Sequence, residues 1–238
     1  YKYRYHLKTQ VDVPTPVYFT YGKIVHRVAE IYVQEGGKRP ISEVADDLLA
    51  GKILLEESGG LAYLPKEYRK KFPKHLQNIT DLTEKIGFDG ELEYKFRYDL
   101  DPPNDKIVTG FLDRLIIRGD KYFILDYKTT KKGGWRKNKY TIRGDLQLRT
   151  YARVVQKVFG AKAENIKAAL HYVDGGDVIA TAFNDKMLME AESELLTAYN
   201  TIKQQDPDKV YGRTGDHCRR CDYVKICPFF NMALGKDA

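Results

Sequence analysis

The chain has 238 residues, of which 42% are hydrophobic and 31% charged, with a net charge of +7 and a pI near 9.0. That balance describes a globular protein with one large core, or one domain plus an appendage, and suits a polyanionic partner. No run approaches the ~18 apolar residues of a membrane helix, no secretory signal opens the chain, and three cysteines cannot form a disulfide framework, so the expected setting is a reducing cytoplasm.

In chain order, residues 20–35 (TYGKIVHRVAEIYVQE) have helical periodicity, with Ile24, Val28, Ile31 and Tyr32 on one stripe. Residues 41–57 and 65–86 also read as helices. Residues 90–100 (GELEYKFRYDL) alternate like a strand and precede a Pro-Pro-Asn turn. Residues 107–130 (IVTGFLDRLIIRGDKYFILDYKTT) spell a β-hairpin around Gly119-Asp120. Residues 130–140 form a basic, glycine-bearing loop, 143–160 a helix ended by Gly160, and two strands follow around Gly175-Gly176. A long helix from about 185 to 204 leads to a segment with all three cysteines. No internal repeat or low-complexity linker interrupts this order, which predicts a mixed α/β core with helical decoration in a single domain over 1–238. Within it, 20–183 carry the motifs, 184–210 the helix and 211–230 the cysteines.

The hairpin carries most of the chemistry. If Gly119 and Asp120 form the loop, Arg118 pairs with Lys121, Ile117 with Tyr122, Leu115 with Ile124, Asp113 with Asp126 and Phe111 with Lys128. Opposed side chains lie about 5 Å apart, and like charges placed so destabilise a sheet unless compensated. A divalent hard cation compensates two carboxylates and leaves room for water and a phosphate. Lys128, two residues beyond Asp126, points to the same face, which outlines a phosphodiesterase site. An acid-x-Lys triplet arises by chance roughly once or twice in a chain of this length, and Glu93-Tyr94-Lys95 is a second one. The apolar strand leading into Asp126-Tyr127-Lys128 and the matched second acid set that triplet apart.

Other features are less specific alone. His26, a lone histidine among apolar residues, reads first as a core side chain. Gln147 and Tyr151 are four apart on one helical face, which is first of all a helix edge. The loop with Lys131, Lys132, Trp135, Arg136, Lys137 and Lys139 carries five cations and the single tryptophan. A charge run is usually solvated, but cations beside an aromatic face are what single-stranded DNA needs. Cys218, Cys221 and Cys227, spaced C-x2-C-x5-C, suit zinc or an iron-sulfur cluster, each of which normally takes four ligands. His217 is an awkward fourth.

The combination of GKIVHRVAE, GFLDR, ILDYKT, QLRTY and C-x2-C-x5-C, over about residues 20–230, resembles the PD-(D/E)xK nucleases of the RecB group. Within it, the iron-sulfur branch with the AddB nuclease domain and the CRISPR-associated Cas exonucleases is most similar. The resemblance implies a restriction-endonuclease-like sheet core with a cysteine-bearing appendage, in a bacterial, archaeal or phage-encoded protein. It implies that His26, Asp113, Asp126 and the Tyr127 carbonyl bind Mg²⁺ or Mn²⁺, with Lys128, Gln147 and Tyr151 completing the catalytic set. It also implies a [4Fe-4S] cluster on Cys218, Cys221 and Cys227, with Zn²⁺ as the alternative. In that branch the fourth cysteine lies upstream of the histidine helix, before an aromatic and basic run like YKYRYHLK, so its expected place is just ahead of Tyr1. The expected function is a metal-dependent deoxyribonuclease acting on single strands or duplex ends, alone or with a helicase or other DNA-processing protein. The alternative is a catalytically silent DNA-binding or assembly module.

Overall fold

The computed structural model describes residues 16–55, 62–102, 105–206, 209 and 214–233, in two compact units, Pro16–Leu196 and Thr197–Ala238 with Tyr1–Thr15. In the larger unit, α1 (Val17–Gln34) buries Tyr21, Ile24, Val25, Val28 and Tyr32 along one stripe, as the apolar spacing predicts. Burying each such aliphatic side chain is worth about 1.5–3 kcal/mol. The helix stops where Gly36 and Gly37 take φ of +66° and +68°, and a Cβ on Gly37 would stand 2.5 Å from the Phe88 ring. Helix α2 (Ile41–Leu49) is shorter than the 41–57 expected from sequence. Gly51 follows at φ +74°, a left-handed conformation that ends helices, and 56–57 lie outside the described residues. The expected helix 65–86 is a short turn, Lys66–Tyr68, followed by α3 (Phe72–Ile86), which has a proline in its first turn.

The sheet has five strands: β1 (Glu91–Asp99), β2 (Ile107–Arg118), β3 (Lys121–Lys128), β4 (Ile166–Tyr172) and β5 (Asp177–Ala182), adjacent in that order. All neighbours are antiparallel except β3 and β4. A parallel pair needs a crossover, and α4 (Leu146–Phe159) supplies it. Asp145 caps its start, accepting from Leu148 N at 3.1 Å, and Gly160 ends it at φ +65°. One sheet face packs on α4 and on Leu188 of α5 (Asp185–Gln204). The other carries α1, α2 and α3. This helix-sheet-helix layering around a mixed sheet is the restriction-endonuclease-like fold. Fully buried Arg114 ties the sheet to the end of α3 by donating to Gly87 O at 2.6 Å and Asp89 O at 2.7 Å. No helix among the described residues is long and apolar enough to cross a membrane.

In the smaller unit, Cys218 lies in a turn at Asp216–Arg220, Cys221 directly follows it, and Cys227 stands between a turn at Val224–Ile226 and a short helix, α6 (Pro228–Ala233); all three are free.

Candidate active site

The hairpin register is the one read from sequence for Arg118↔Lys121, Ile117↔Tyr122 and Leu115↔Ile124, and the ladder closes at Arg114↔Leu125. Asp113 and Asp126 stand one step beyond, where β2 leaves β3. Asp113 turns there to accept the Tyr127 N–H on Oδ2 at 2.7 Å. The expected meeting of Phe111 with Lys128 does not occur. Phe111 pairs with Lys95 on β1, and Lys128 pairs with Tyr172 on β4, because the β2–β3 ladder ends at Arg114↔Leu125 and beyond it each strand keeps only its outer neighbour.

Helix α1 delivers His26 to this fork. Its Nε2–H donates to Tyr127 O at 2.9 Å, and Nδ1 lies 3.4 Å from Asp113 Oδ1. Burial alone would lower the His26 pKa. The Asp113 charge and hydrogen bond, helped by the charges of Asp126 and Glu93, instead lift it to about 9. The ring is therefore an imidazolium at neutral pH and must give up a proton to act as a ligand.

Glu93 joins them from β1. Ligand atoms of His26, Glu93 and Asp113 all lie within 4.8 Å of one another, the one such group among the described residues. The continuous register, Leu92↔Arg114 and Tyr94↔Leu112, leaves Glu93 opposite Asp113. Glu93 takes φ +44°, a costly conformation for a residue with a side chain and one that clusters at functional sites. Burial, followed by the Asp113 charge, raises its carboxyl to about 7. Sequence reading had set aside Glu93-Tyr94-Lys95 as a chance triplet. The available signal was its place on the strand flanking the hairpin, and only the β1–β2 register turns that into proximity.

These donors fit a divalent cation. Hard oxygens with one imidazole suit Mg²⁺ or Mn²⁺. An octahedral ion at about 2.1 Å from its ligands holds neighbouring ligands roughly 3 Å apart, close to the spacing of His26 Nε2 and Tyr127 O.

Lys128 stands on the other side of the fork, its Nζ 2.6 Å from Asp126 Oδ2. Asp126 is 2% exposed; burial and then the Asp113 charge raise its carboxyl, and Lys128 pulls it back down. Lys128 Nζ also donates to Gln147 Oε1 at 3.0 Å, and Gln147 Nε2 donates to the Tyr151 hydroxyl at 2.7 Å. This chain starts at the strand acid and ends on α4. Arg149 and Arg153 hold α4 to α5, donating to Glu194 at 2.9 Å and Glu192 at 2.5 Å.

The basic loop leaves β3 directly, but its cations do not all face solvent. Arg136, expected to touch DNA, is folded inward. It donates to Thr130 O at 2.9 Å and to Asp177 at 3.0 Å, lies 3.5 Å from Asp174, and stacks over the Tyr172 ring at 4.7 Å. A planar guanidinium satisfied on several sides shapes the loop and has little left for phosphate. Lys137 lies 3.4 Å from Asp145. Lys131, Lys132 and Lys139 are exposed, and Trp135 is 89% exposed. Asp174 fixes the loop base by accepting from Lys132 N at 2.6 Å and contacting His75 Nε2 at 3.0 Å.

In the cysteine unit, Cys218 is buried, Cys221 exposed and Cys227 half-buried. Zinc at about 2.3 Å from each sulfur would draw thiols to within about 4 Å of one another, and these three are not among the converging groups of the described residues.

The mixed sheet thus brings two strand acids, a histidine and a lysine to one fork. The chain belongs to the PD-(D/E)XK nuclease superfamily, whose family model matches residues 1–228. That membership points to a hydrolase acting on phosphodiesters, with DNA as the substrate the family implies, in a superfamily that uses divalent metals. No curated protein matches the chain in sequence. Among solved structures, one from Eubacterium rectale, described as a candidate exonuclease, is 14% identical over 98% of this chain and 84% of its own, with a TM-score of 0.53. A second, SSO0001, is 16% identical over 95% of this chain and 92% of its own, at a TM-score of 0.39.

Proposed function

We propose that this chain is a Mg²⁺- or Mn²⁺-dependent deoxyribonuclease acting on single strands or duplex ends, as an exonuclease. The observation that carries the reading is the fork itself: His26, Glu93 and Asp113 within ligand distance of one another, next to a buried Asp126 paired with Lys128. His26, Asp113, Asp126 and the Tyr127 carbonyl would hold the cation, with Glu93 as a further carboxylate. The bound ion would supply positive charge against the phosphate and the developing oxyanion.

Lys128 is placed to orient the attacking water and to donate to a phosphate oxygen as negative charge grows there. Asp126 and Gln147 hold its ammonium from two sides, and Tyr151 fixes the Gln147 amide so that its carbonyl faces the lysine. Lys131, Lys132, Lys139 and Trp135 would receive the strand. Cys218, Cys221 and Cys227 would hold an iron-sulfur cluster that fastens the C-terminal segment, a reading carried by their spacing and tested by iron and sulfide content after anaerobic purification.

The deciding experiment is degradation of end-labelled single- and double-stranded DNA with Mg²⁺, Mn²⁺ or EDTA, for the protein and its Asp126→Ala variant. Metal-dependent cleavage lost in the variant supports the reading, and the product ladder gives polarity. DNA binding without cleavage under every metal condition would overturn it in favour of a binding module.

A further inference from the structure

Among the described residues β1 has a neighbour on one side only, so strands β1 and β2 extend past the fork to a sheet edge. Along this stretch Tyr94, Phe96, Tyr98, Val108 and Leu112 pack into the core beside α4. Side chains alternate across a strand, so the residues between them present to the opposite face, and Lys95, Arg97, Thr109 and Phe111 are all exposed there. The register pairs Lys95 with Phe111 and Arg97 with Thr109. The Lys95 ammonium sits over the Phe111 ring, 5.9 Å from its centroid.

Phe111 is the unusual member. A phenylalanine in the middle of a twelve-residue strand is 50% exposed, two residues from Asp113. At ~3.3 Å per strand residue, its position is about 7 Å from that of the candidate ligand. Lys95 and Arg97 are in no salt bridge among the described residues, whereas Arg118 at the turn end of β2 is paired with Asp89. Unpaired cations interleaved with an open aromatic ring, continuous with a phosphodiester-cleaving site, match a single polynucleotide strand. Cations meet its phosphates, and a ring meets an unstacked base.

We propose that Lys95, Arg97 and Phe111 form a strand-borne track for single-stranded nucleic acid, with one base stacked on Phe111 next to the scissile phosphate. This rests on the nuclease reading of the fork and adds to it the path of the substrate and the residue that seats it. A duplex keeps its bases stacked inside and offers none to Phe111, so the track favours single strands.

The test measures binding of a fluorescein-labelled single-stranded oligonucleotide in EDTA, by anisotropy over a salt series, and Mg²⁺-dependent cleavage in parallel. The proteins are the wild type, Phe111→Ala, Phe111→Trp and the double variant Lys95→Gln/Arg97→Gln. Phe111→Ala is expected to weaken single-strand binding about 5- to 150-fold, the loss of one base–aromatic stack, and to leave duplex binding unchanged. Phe111→Trp is expected to restore it. The double variant should flatten the slope of log K against log salt by about 1.4, or ~0.7 for each lost phosphate contact. Unchanged single-strand affinity and salt slope in a protein that cleaves DNA would overturn the track, leave the nuclease reading standing, and return this face to a protein partner. Track-dependent binding in a wild type that never cleaves would support the track and count against the nuclease reading.

Discussion

Acidification should destabilise this protein through a residue that takes no part in the chemistry. His171 on β4 is fully buried, neither ring nitrogen has a hydrogen-bond partner among the described residues, and the ring packs 5.7 Å from that of Tyr127. Burial lowers its pKa to about 4, against a small upward pull from Asp177. Between pH about 6.5 and about 4 the unfolded chain therefore binds a proton that the folded chain refuses, so stability falls as pH drops through that window. At pH 5, about 1.5 units below the ordinary histidine pKa at which the unfolded chain titrates, the cost at about 1.36 kcal/mol per unit is about 2 kcal/mol relative to pH 7. His171→Leu keeps the volume and removes the titration. It should be within about 1.5 kcal/mol of the wild type at pH 7 and should lose about 2 kcal/mol less on going to pH 5. Urea unfolding followed by circular dichroism at the two pH values, without divalent metal, reads this as a midpoint difference on the order of 1 M. The comparison cancels His26, Glu93 and Asp126, which titrate in both proteins. Parallel pH profiles would refute the account of His171 as a neutral, proton-refusing core residue.

The fork yields further expectations. Glu93→Gly should relieve the strained φ and gain roughly 1 kcal/mol of stability while weakening Mn²⁺ binding by about tenfold or more; calorimetry that shows lower stability with normal affinity would remove Glu93 from the site. Gln147→Leu removes a charge-assisted hydrogen bond from Lys128. Because Gln147 is exposed and water can substitute for it, the expected loss is about 1 kcal/mol, or roughly fivefold in kcat with KM unchanged; an effect confined to KM would mean that Gln147 touches substrate instead. Neutralising Lys131, Lys132 and Lys139 together should reduce the salt slope of DNA binding with little change in Tm. Arg136→Ala should do the reverse, costing about 1–3 kcal/mol of stability through the partners it leaves behind, and a normal Tm for that variant would return Arg136 to the solvent-facing set.

Much of this centre could be read before folding, for a local reason. The hairpin has a period of two and a turn that fixes its register, so counting from Gly119 holds as far as Arg114↔Leu125 and brings Asp113 and Asp126 to the end of that ladder, with Lys128 beside Asp126; the meeting of Phe111 with Lys128 that the same count predicts fails where β2 and β3 part. The helical period placed Gln147 four residues from Tyr151 in the same way. What counting could not supply was anything that depends on one element meeting another. His26 and Tyr127 O are 101 residues apart in sequence, and their approach depends on α1 packing across the sheet. Glu93 enters the site because β1 lies on β2 in one register and not another, and because its backbone takes a conformation that sequence patterns do not encode. Arg136 looked like its lysine neighbours in the loop, and only the positions of Tyr172, Asp174 and Asp177 around the β4–β5 turn bring it inward. The sequence by itself determined the chemical types and the local spacing of the acids, the lysine and the α4 pair. The tertiary structure decided which of them share a site, because desolvation, charge pairing and ligand distance are properties of neighbours in space.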